Sequence, residues 1–119
     1  MSILIRKFDQ YFKPRAKIPY STGKLALPSS TDWSDRSLYH EHLLYVYLGY
    51  RPASGYVFNH GPGNIYIRLS SDGQSFSEKE ITIFPDGIFS WGDEHPPLKI
   101  ASVWVRSDSA GTEYELCAG

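Results

Sequence analysis

The chain has 119 residues, a formal net charge of −1 and a single cysteine, Cys117. This length predicts one domain with at most a short appendage, and a lone cysteine excludes an internal disulfide or a cysteine-ligated metal site within one chain. The apolar run at the start is too short for a signal peptide and no segment is long enough to span a membrane, so we expect a soluble protein made in a cytoplasm.

Charge is unevenly distributed along the chain, and aromatic residues are frequent in it. Residues 1–40 carry seven Lys or Arg against three Asp, a net of +4, whereas residues 41–119 carry five Lys or Arg against ten Asp or Glu, a net of −5. The nine Tyr, six Phe and three Trp are residue types that favour half-buried pleated surfaces and interfaces. The composition therefore predicts a basic leader attached to an acidic, β-rich body.

Residues 1–37 form this leader, which we interpret as an extended N-terminal arm. Pro14, Pro19, Gly23 and Pro28 recur every four or five residues, which excludes a long helix and leaves no strand of useful length. Spaced apolar side chains predict that the arm lies along a surface, either that of its own domain or that of an acidic neighbouring subunit. Nucleic acid is not expected as a partner, because the cations are not clustered and the body would repel phosphate.

The stretch that follows the arm is compatible with two structures. Asp35 is suited to cap a helix in which Leu38, His42 and Tyr45 share one face. The residues that follow are β-prone and precede a Gly-Tyr-Arg-Pro break, so we prefer a strand over residues 42–48.

The clearest element of the body is a strand in which Ile65, Ile67 and Leu69 alternate with Tyr66 and Arg68. Such alternation predicts one apolar face towards a core and one amphipathic face towards the outside. A tight-turn signal, Asp-Gly, follows this strand and leads to an antiparallel partner.

Further strands are predicted from short β-prone runs bounded by Gly, Pro, Asn and Asp. They cover residues 55–60, 80–84, 88–91, 98–106 and 112–116. Six or seven short strands with frequent turns predict an all-β fold, an antiparallel β-sandwich over residues 38–119 that is jelly-roll-like or Ig-like.

Outward side chains of these strands predict a contact surface. If Tyr66, Trp104 and Tyr114 are exposed together, they form a patch that the arm or a second subunit must cover. Deletion of residues 1–30 is then expected to leave a folded, monomeric body. The predicted interface residues are Ile5, Phe8, Phe12, Arg15, Lys17, Tyr20, Leu25, Leu27, Tyr66, Arg68, Trp104 and Tyr114.

No motif in the sequence carries a recognisable catalytic signature. His40 and His42 would point the same way on a strand and share an ion, but hydrogen-bonded histidines are the preferred interpretation because a third ligand, such as His60, is not close in sequence. Asp93 and Glu94 are neighbours and do not face each other across a cleft as paired acid–base carboxylates do. We therefore expect no enzyme, no metal and no cofactor.

A second interpretation is a carbohydrate-binding module. Trp33, Trp91 and Trp104, together with Tyr50 and Tyr56, are candidates for a platform on which sugar rings stack. Exposed coplanar rings would support this function, and burial of the tryptophans would exclude it.

Three runs carry a resemblance to a known group of proteins: HGPGNIYIR at 60–68, ITIFPDG at 81–87 and VWVRSDSAGTEY at 103–114. The region 56–116 resembles small β-sandwich structural proteins of tailed bacteriophages, which are tail, neck, head-decoration or fibre components. The resemblance implies a non-enzymatic virion protein that assembles with copies of itself and with other virion proteins into a symmetric ring or fibre cap.

Overall fold

The computed structural model describes residues 19–72 and 79–119, which form two antiparallel β-sheets packed face to face. The predicted all-β sandwich is therefore confirmed. The strands are β1 (Tyr20–Ser21), β2 (Leu25–Leu27), β3 (His40–Leu43), β4 (Gly55–Gly61), β5 (Ile65–Ser70), β6 (Ile81–Ile83), β7 (Ile88–Trp91), β8 (Ser102–Ser107) and β9 (Thr112–Ala118). The helical elements are a 3-10 turn (Arg36–Leu38) and a short helix α1 (Leu44–Leu48).

The first sheet has β9 and β4 at its centre, with β7 at one edge and with β1 and β2 side by side along the other edge of β9. The second sheet has the order β3-β8-β5-β6. The predicted antiparallel hairpin is present, because β5 pairs with β6 and places Ile65 opposite Ile83.

The core fills the space between the sheets and follows the two-residue period of the strands. In β4 and β9, Val57 lies opposite Leu116 and Asn59 lies opposite Tyr114, and all four are fully buried. Side chains one position along each strand therefore point away from the other sheet. The remaining buried apolar residues of this cluster are Leu27, Leu44, Ile65, Ile67, Ile83, Trp91, Ile100, Val103, Val105 and Ala118.

The described part of the arm belongs to the first sheet of its own chain. β1 and β2 both pair with β9, and Gly23, at a φ of +62°, makes the turn between them. Leu27 is only 2% exposed and packs in the core. The expectation that no strand fits between the prolines is thus wrong, because two and three residues are enough to pair the edge of an existing strand.

The predicted strand at 42–48 is wrong beyond Leu43, where the chain turns into α1. Leu44 is fully buried, and the backbone N–H of Tyr45 donates to the carbonyl oxygen of Ala101 at 3.0 Å. Gly49 then ends the helix in the left-handed conformation that glycine adopts without strain. These tertiary contacts outweigh the local β propensity of the run.

β8 begins later than the predicted range 98–106. The N–H of Ile100 donates to the Pro52 carbonyl at 3.2 Å, and that of Ala101 donates to the Ser70 carbonyl at 2.7 Å. The N–H of Ile100 is therefore engaged by the segment around Pro52, and contact with β5 begins only at Ala101, whose acceptor Ser70 is the last residue of β5.

Replacement of Leu27 by alanine tests whether the arm is a structural part of the sandwich. Removal of a fully packed leucine side chain is expected to lower the free energy of unfolding by about 3 kcal/mol. The measurement is chemical denaturation followed by tryptophan fluorescence.

Ala26→Ser is the matched control, since Ala26 is the exposed neighbour on the same strand. It should change stability by less than about 0.5 kcal/mol. Equal stability of L27A and the control would show that β2 does not contribute to the core.

Candidate interaction surface

The outer face of the first sheet is formed by the alternate residues of its strands. Tyr56 on β4 lies between Ser90 on β7 and Cys117 on β9. In the next row, Phe58 lies between Ile88 and Glu115. Aromatic side chains of β4 therefore lie beside Ile88 of β7 on one side and beside Cys117 and Glu115 of β9 on the other.

The charge on this face is acidic. Glu113 and Glu115 occupy outward positions on β9, and β1, β2, β4, β7 and β9 contain no Lys or Arg. His60 Nε2 lies 3.2 Å from a Glu115 carboxylate oxygen, and its ring meets the Phe58 ring edge-on at 4.6 Å. The face therefore combines apolar side chains with carboxylates.

A groove of about 420 Å³ opens at one end of this face. Its lining includes Pro19, Tyr56, Ile88, Cys117 and Gly119. A cavity of about 150 Å³ accommodates benzene, so the groove has room for roughly two aromatic rings.

Gly55 lines the groove and packs directly against the Trp91 ring. A Cβ at this position would collide with the Trp91 ring and would lie 2.6 Å from the carbonyl oxygen of Cys117. Only glycine therefore allows β4 to pass over Trp91 while it pairs with β9.

The turn between β6 and β7 presents two exposed apolar side chains, Phe84 (65% exposed) and Ile88 (57% exposed). Buried Asn59 holds this turn in place. Its backbone N–H donates to the Gly87 carbonyl at 3.0 Å, its carbonyl accepts from Asp86 N–H, and its side-chain amide donates to the Ile83 carbonyl at 2.8 Å. The exposed pair thus stands on a fixed support.

A second exposed apolar pair lies on α1, where Val46 is 63% and Tyr47 is 64% exposed. The Tyr47 ring contacts Tyr20 of β1 edge-on, with centroids 4.7 Å apart. This contact joins α1 to the strand at which the described part of the arm begins.

The outer face of the second sheet is covered by its own chain. The guanidinium of Arg106 lies 4.4 Å from the Tyr66 ring centroid and 5.4 Å from that of Trp33. Trp33 also contacts Arg68, at 5.4 Å. Glu80 accepts hydrogen bonds from Arg106 Nη2 at 3.0 Å and from Trp33 Nε1 at 2.9 Å, so the Arg106 guanidinium is paired within the domain.

The predicted exposed patch of Tyr66, Trp104 and Tyr114 is not formed. Trp104 is 3% exposed, and Tyr114 is fully buried between the sheets. Tyr114 is an inward position of β9, in phase with Leu116, so it never faces outward. Trp104 does face outward, but residues 29–33 cross the outer face of the second sheet beside β8, where the N–H of Ser30 donates to the carbonyl of Ser107 at 2.8 Å.

Four polar rings form a hydrogen-bonded cluster between the two sheets. The Tyr114 hydroxyl lies 2.8 Å from His40 Nδ1 and also bonds His42 Nε2. His42 Nδ1 in turn lies 2.9 Å from the Tyr20 hydroxyl. Because a phenol has one donor, Tyr114 donates to one histidine and accepts from the other. The interpretation of hydrogen-bonded histidines is consistent with this arrangement.

Burial controls the ionisation of the cluster. It lowers the pKa of His42 to about 4, with a smaller effect from the nearby His40. It also lowers the pKa of His40 and raises that of Tyr114, so all three groups are neutral at pH 7. Within residues 19–72 and 79–119, no three His, Cys, Asp or Glu side chains are placed to hold a metal ion.

The predicted interface residues fall into three groups. Ile5, Phe8, Phe12, Arg15 and Lys17 lie outside the described residues. Leu27, Trp104 and Tyr114 are buried and leave almost no surface for a partner. The partly exposed members are Tyr20, Leu25, Tyr66 and Arg68, whose contacts with a partner stay a prediction.

The sequence analysis did not identify Phe58, Phe84 and Ile88 as candidate contact residues. The alternation of β4 was sufficient to place Phe58 outward, opposite the fully buried Val57 side of the strand. Exposure of the other two depends on the absence of a covering segment within the described residues, which local patterning does not report.

The tryptophans do not form an exposed platform for sugar rings. Trp91 and Trp104 are 4% and 3% exposed, and Trp33 is half-buried beside two arginines. Trp91 and Trp104 are therefore not available to stack on a sugar ring, and carbohydrate binding stays a prediction for Trp33, Tyr50 and Tyr56.

Comparison with known proteins gives no identification: no family model, curated protein or solved structure matches this chain. Among the described residues, no helix is both long enough and apolar enough to cross a membrane.

Lowering the pH should destabilise the fold through the buried histidines. Unfolded histidine takes up a proton near its ordinary pKa of 6.5, whereas folded His42 does so only near 4. The unfolded state therefore binds more protons between these values, and stability is lost as the pH falls through this window, at about 1.4 kcal/mol per pH unit for one histidine. Urea denaturation at a series of pH values measures this slope.

His42→Gln is the control for this experiment, because glutamine does not titrate and still hydrogen-bonds. Its slope between pH 6.5 and 4 should be smaller than that of the wild type, whatever its absolute stability. Identical slopes would show that His42 does not cause the pH dependence.

Proposed function

We propose that this chain is a non-enzymatic structural component of a bacteriophage virion. It assembles into a symmetric homo-oligomer through its N-terminal arm and its β-sheet surface, and it contacts other virion proteins.

The observation that carries this proposal is the concentration of exposed, large apolar side chains on two fixed supports. Val46 and Tyr47 lie on α1, and Phe84 and Ile88 flank the turn held by Asn59. Contiguous apolar surface on a soluble domain marks sites of protein contact, and aromatic residues are enriched in such contacts.

Anchorage of the arm also supports assembly. β1 and β2 pair with β9 and so fix residues 20–27 to the sheet, and Pro19, which precedes β1, lines the groove. Arms add contact area without a larger core. An interface of about 800 Å² per partner corresponds to a gross term of about 20 kcal/mol before ordering costs are subtracted.

The virion assignment rests on the resemblance of residues 56–116 to phage structural proteins. The polar cluster around Tyr114 supports the non-enzymatic part, because its hydrogen bonds tie β9 to β3 and β1 inside the sandwich. A contribution to stability is sufficient to account for this buried, hydrogen-bonded cluster.

The mass in solution tests assembly. Multi-angle light scattering of the full chain should give a multiple of 13.5 kDa. A chain that starts at Pro19 should be folded and monomeric. The deletion must stop at residue 18 and not at residue 30, because a longer one removes β1, β2 and the core residue Leu27.

Salt provides a second readout of the same preparation. If the basic arm binds an acidic neighbour, salt should weaken the contact. The full-length oligomer should then dissociate at a higher protein concentration in high salt than in low salt. A full chain that is monomeric at all concentrations would contradict the proposed assembly, as would a shortened chain that keeps the oligomer.

Localisation to the virion has its own test. Particles of the phage that encodes this chain are purified by density gradient, and their proteins are identified by mass spectrometry. We expect the chain in the particles in a fixed copy number relative to the portal or tail-tube protein. Recovery of the chain only from the soluble lysate would exclude a virion role.

A further inference from the structure

We propose that the outer face of the first sheet, from the groove to Glu113, receives residues 1–18 of a second copy of this chain. This inference rests on the proposed function and identifies the surface at which copies join.

The chemistry of residues 1–18 defines the occupant. This segment contains five Lys or Arg against one Asp, a net of +4. Ile5, Phe8 and Phe12 are spaced along it as large apolar anchors. A surface that binds it must therefore offer apolar recesses and carboxylates in the same place.

The outer face of the first sheet offers both. The groove provides about 420 Å³ lined by Tyr56, Ile88 and Cys117. Glu113 and Glu115 lie further along β9 on the same face, and the strands of this sheet carry no cation. Charge complementarity thus favours a basic, aromatic peptide over an acidic or neutral one.

The outer face of the second sheet is a poor competitor. Its carboxylates Glu41 and Glu80 already accept from Arg36 at 2.7 Å and from Arg106 at 3.0 Å. The two faces of one sandwich are therefore chemically distinct, and only the first suits the arm.

The direction of the chain at Pro19 favours a second copy as the donor of the segment. β1 runs antiparallel to β9, and Pro19 lies against Gly119 just past the end of β9. Residue 18 therefore precedes a strand that enters from beyond this end, whereas Glu113 and Glu115 lie in the opposite direction. An extended stretch of 18 residues spans about 60 Å, enough to reach an adjacent domain.

Charge reversal in full-length chains tests the contact. The arm variant carries Arg15→Glu and Lys17→Glu, and the surface variant carries Glu113→Lys and Glu115→Lys. Each variant alone is expected to associate about 100-fold more weakly than the wild type, because like charges then face each other. The measurement is sedimentation velocity.

Mixing separates contacts between copies from contacts within one copy. In an equimolar mixture, the basic arm of the surface variant meets the acidic face of the arm variant, and the acidic arm meets the lysine face. Oligomers that contain both variants should form at close to wild-type concentration. A mixture in which both variants stay monomeric would overturn the proposal, since docking within one chain gives no rescue.

A matched surface control carries Glu41→Lys and Glu94→Lys. Both residues are exposed and lie outside the first sheet, and the variant has the same net charge as the surface variant. It should associate like the wild type. Equal weakening by this control and by the surface variant would mean that net charge, and not this face, governs assembly.

Cys117 provides an independent test because it lines the groove and is the only cysteine in the chain. Full-length S2C and Q10C variants leave the apolar anchors and cations of the arm unchanged. Oxidation should give disulfide-linked dimers and larger ladders on non-reducing gels, in excess of the wild type. A disulfide within one chain at either position, or no excess cross-linking at both, would overturn the inference.

The outcomes of these experiments distinguish failure of the proposed function from failure of the proposed docking surface. A wild-type chain that is monomeric would overturn the proposed function together with this inference. A wild-type oligomer that tolerates the surface variant would overturn this inference alone and leave assembly through another surface.

Discussion

Strand β9 is the element on which the rest of the structure depends. It is hydrogen-bonded along one edge by β4 and along the other by β1 and β2, and its inward side chains Tyr114, Leu116 and Ala118 are all buried. Without β9, β1 and β2 would have no partner, and the first sheet would lose its centre. The first and the last described strands therefore pair with each other in this sheet.

The Tyr114 hydroxyl couples this strand to the opposite sheet. Its bonds to His40 and His42 reach β3, and His42 reaches back to Tyr20 on β1. A buried polar group that found no partner would cost about 1–3 kcal/mol, so the hydrogen bonds among these four rings restrict how the sheets align. The same burial keeps the histidines neutral, and this makes the fold sensitive to acid.

The two outer faces of the sandwich differ in what covers them. Residues 29–33 cover the second sheet, where Trp33 lies beside two arginines and Glu80 neutralises one of them. The first sheet leaves aromatic rings and carboxylates uncovered by any described segment. This asymmetry, rather than total apolar content, is what makes one face suited to a basic neighbour.

Much of the body could be read from sequence because strand alternation is a local property. The run from Ile65 to Leu69 predicts its own inner face, and the Gly and Asp turn signals bound most strands. The change from β3 to α1 was not predicted because it depends on burial of Leu44 and on the bond from the Tyr45 N–H to the carbonyl of Ala101, which is distant in sequence. The same non-local effect delays the start of β8.

The sequence by itself determined the all-β class, the inward residues of the central strands and the uneven distribution of charge. Only the tertiary structure decided which outward side chains are exposed to solvent. Trp104 and Phe58 both point away from the core, yet Trp104 lies on the sheet that residues 29–33 cross and is buried, whereas Phe58 is only partly covered. The exposure of an outward side chain depends on whether another segment of the chain covers it. The position of such a segment depends in turn on hydrogen bonds to residues that are distant in sequence.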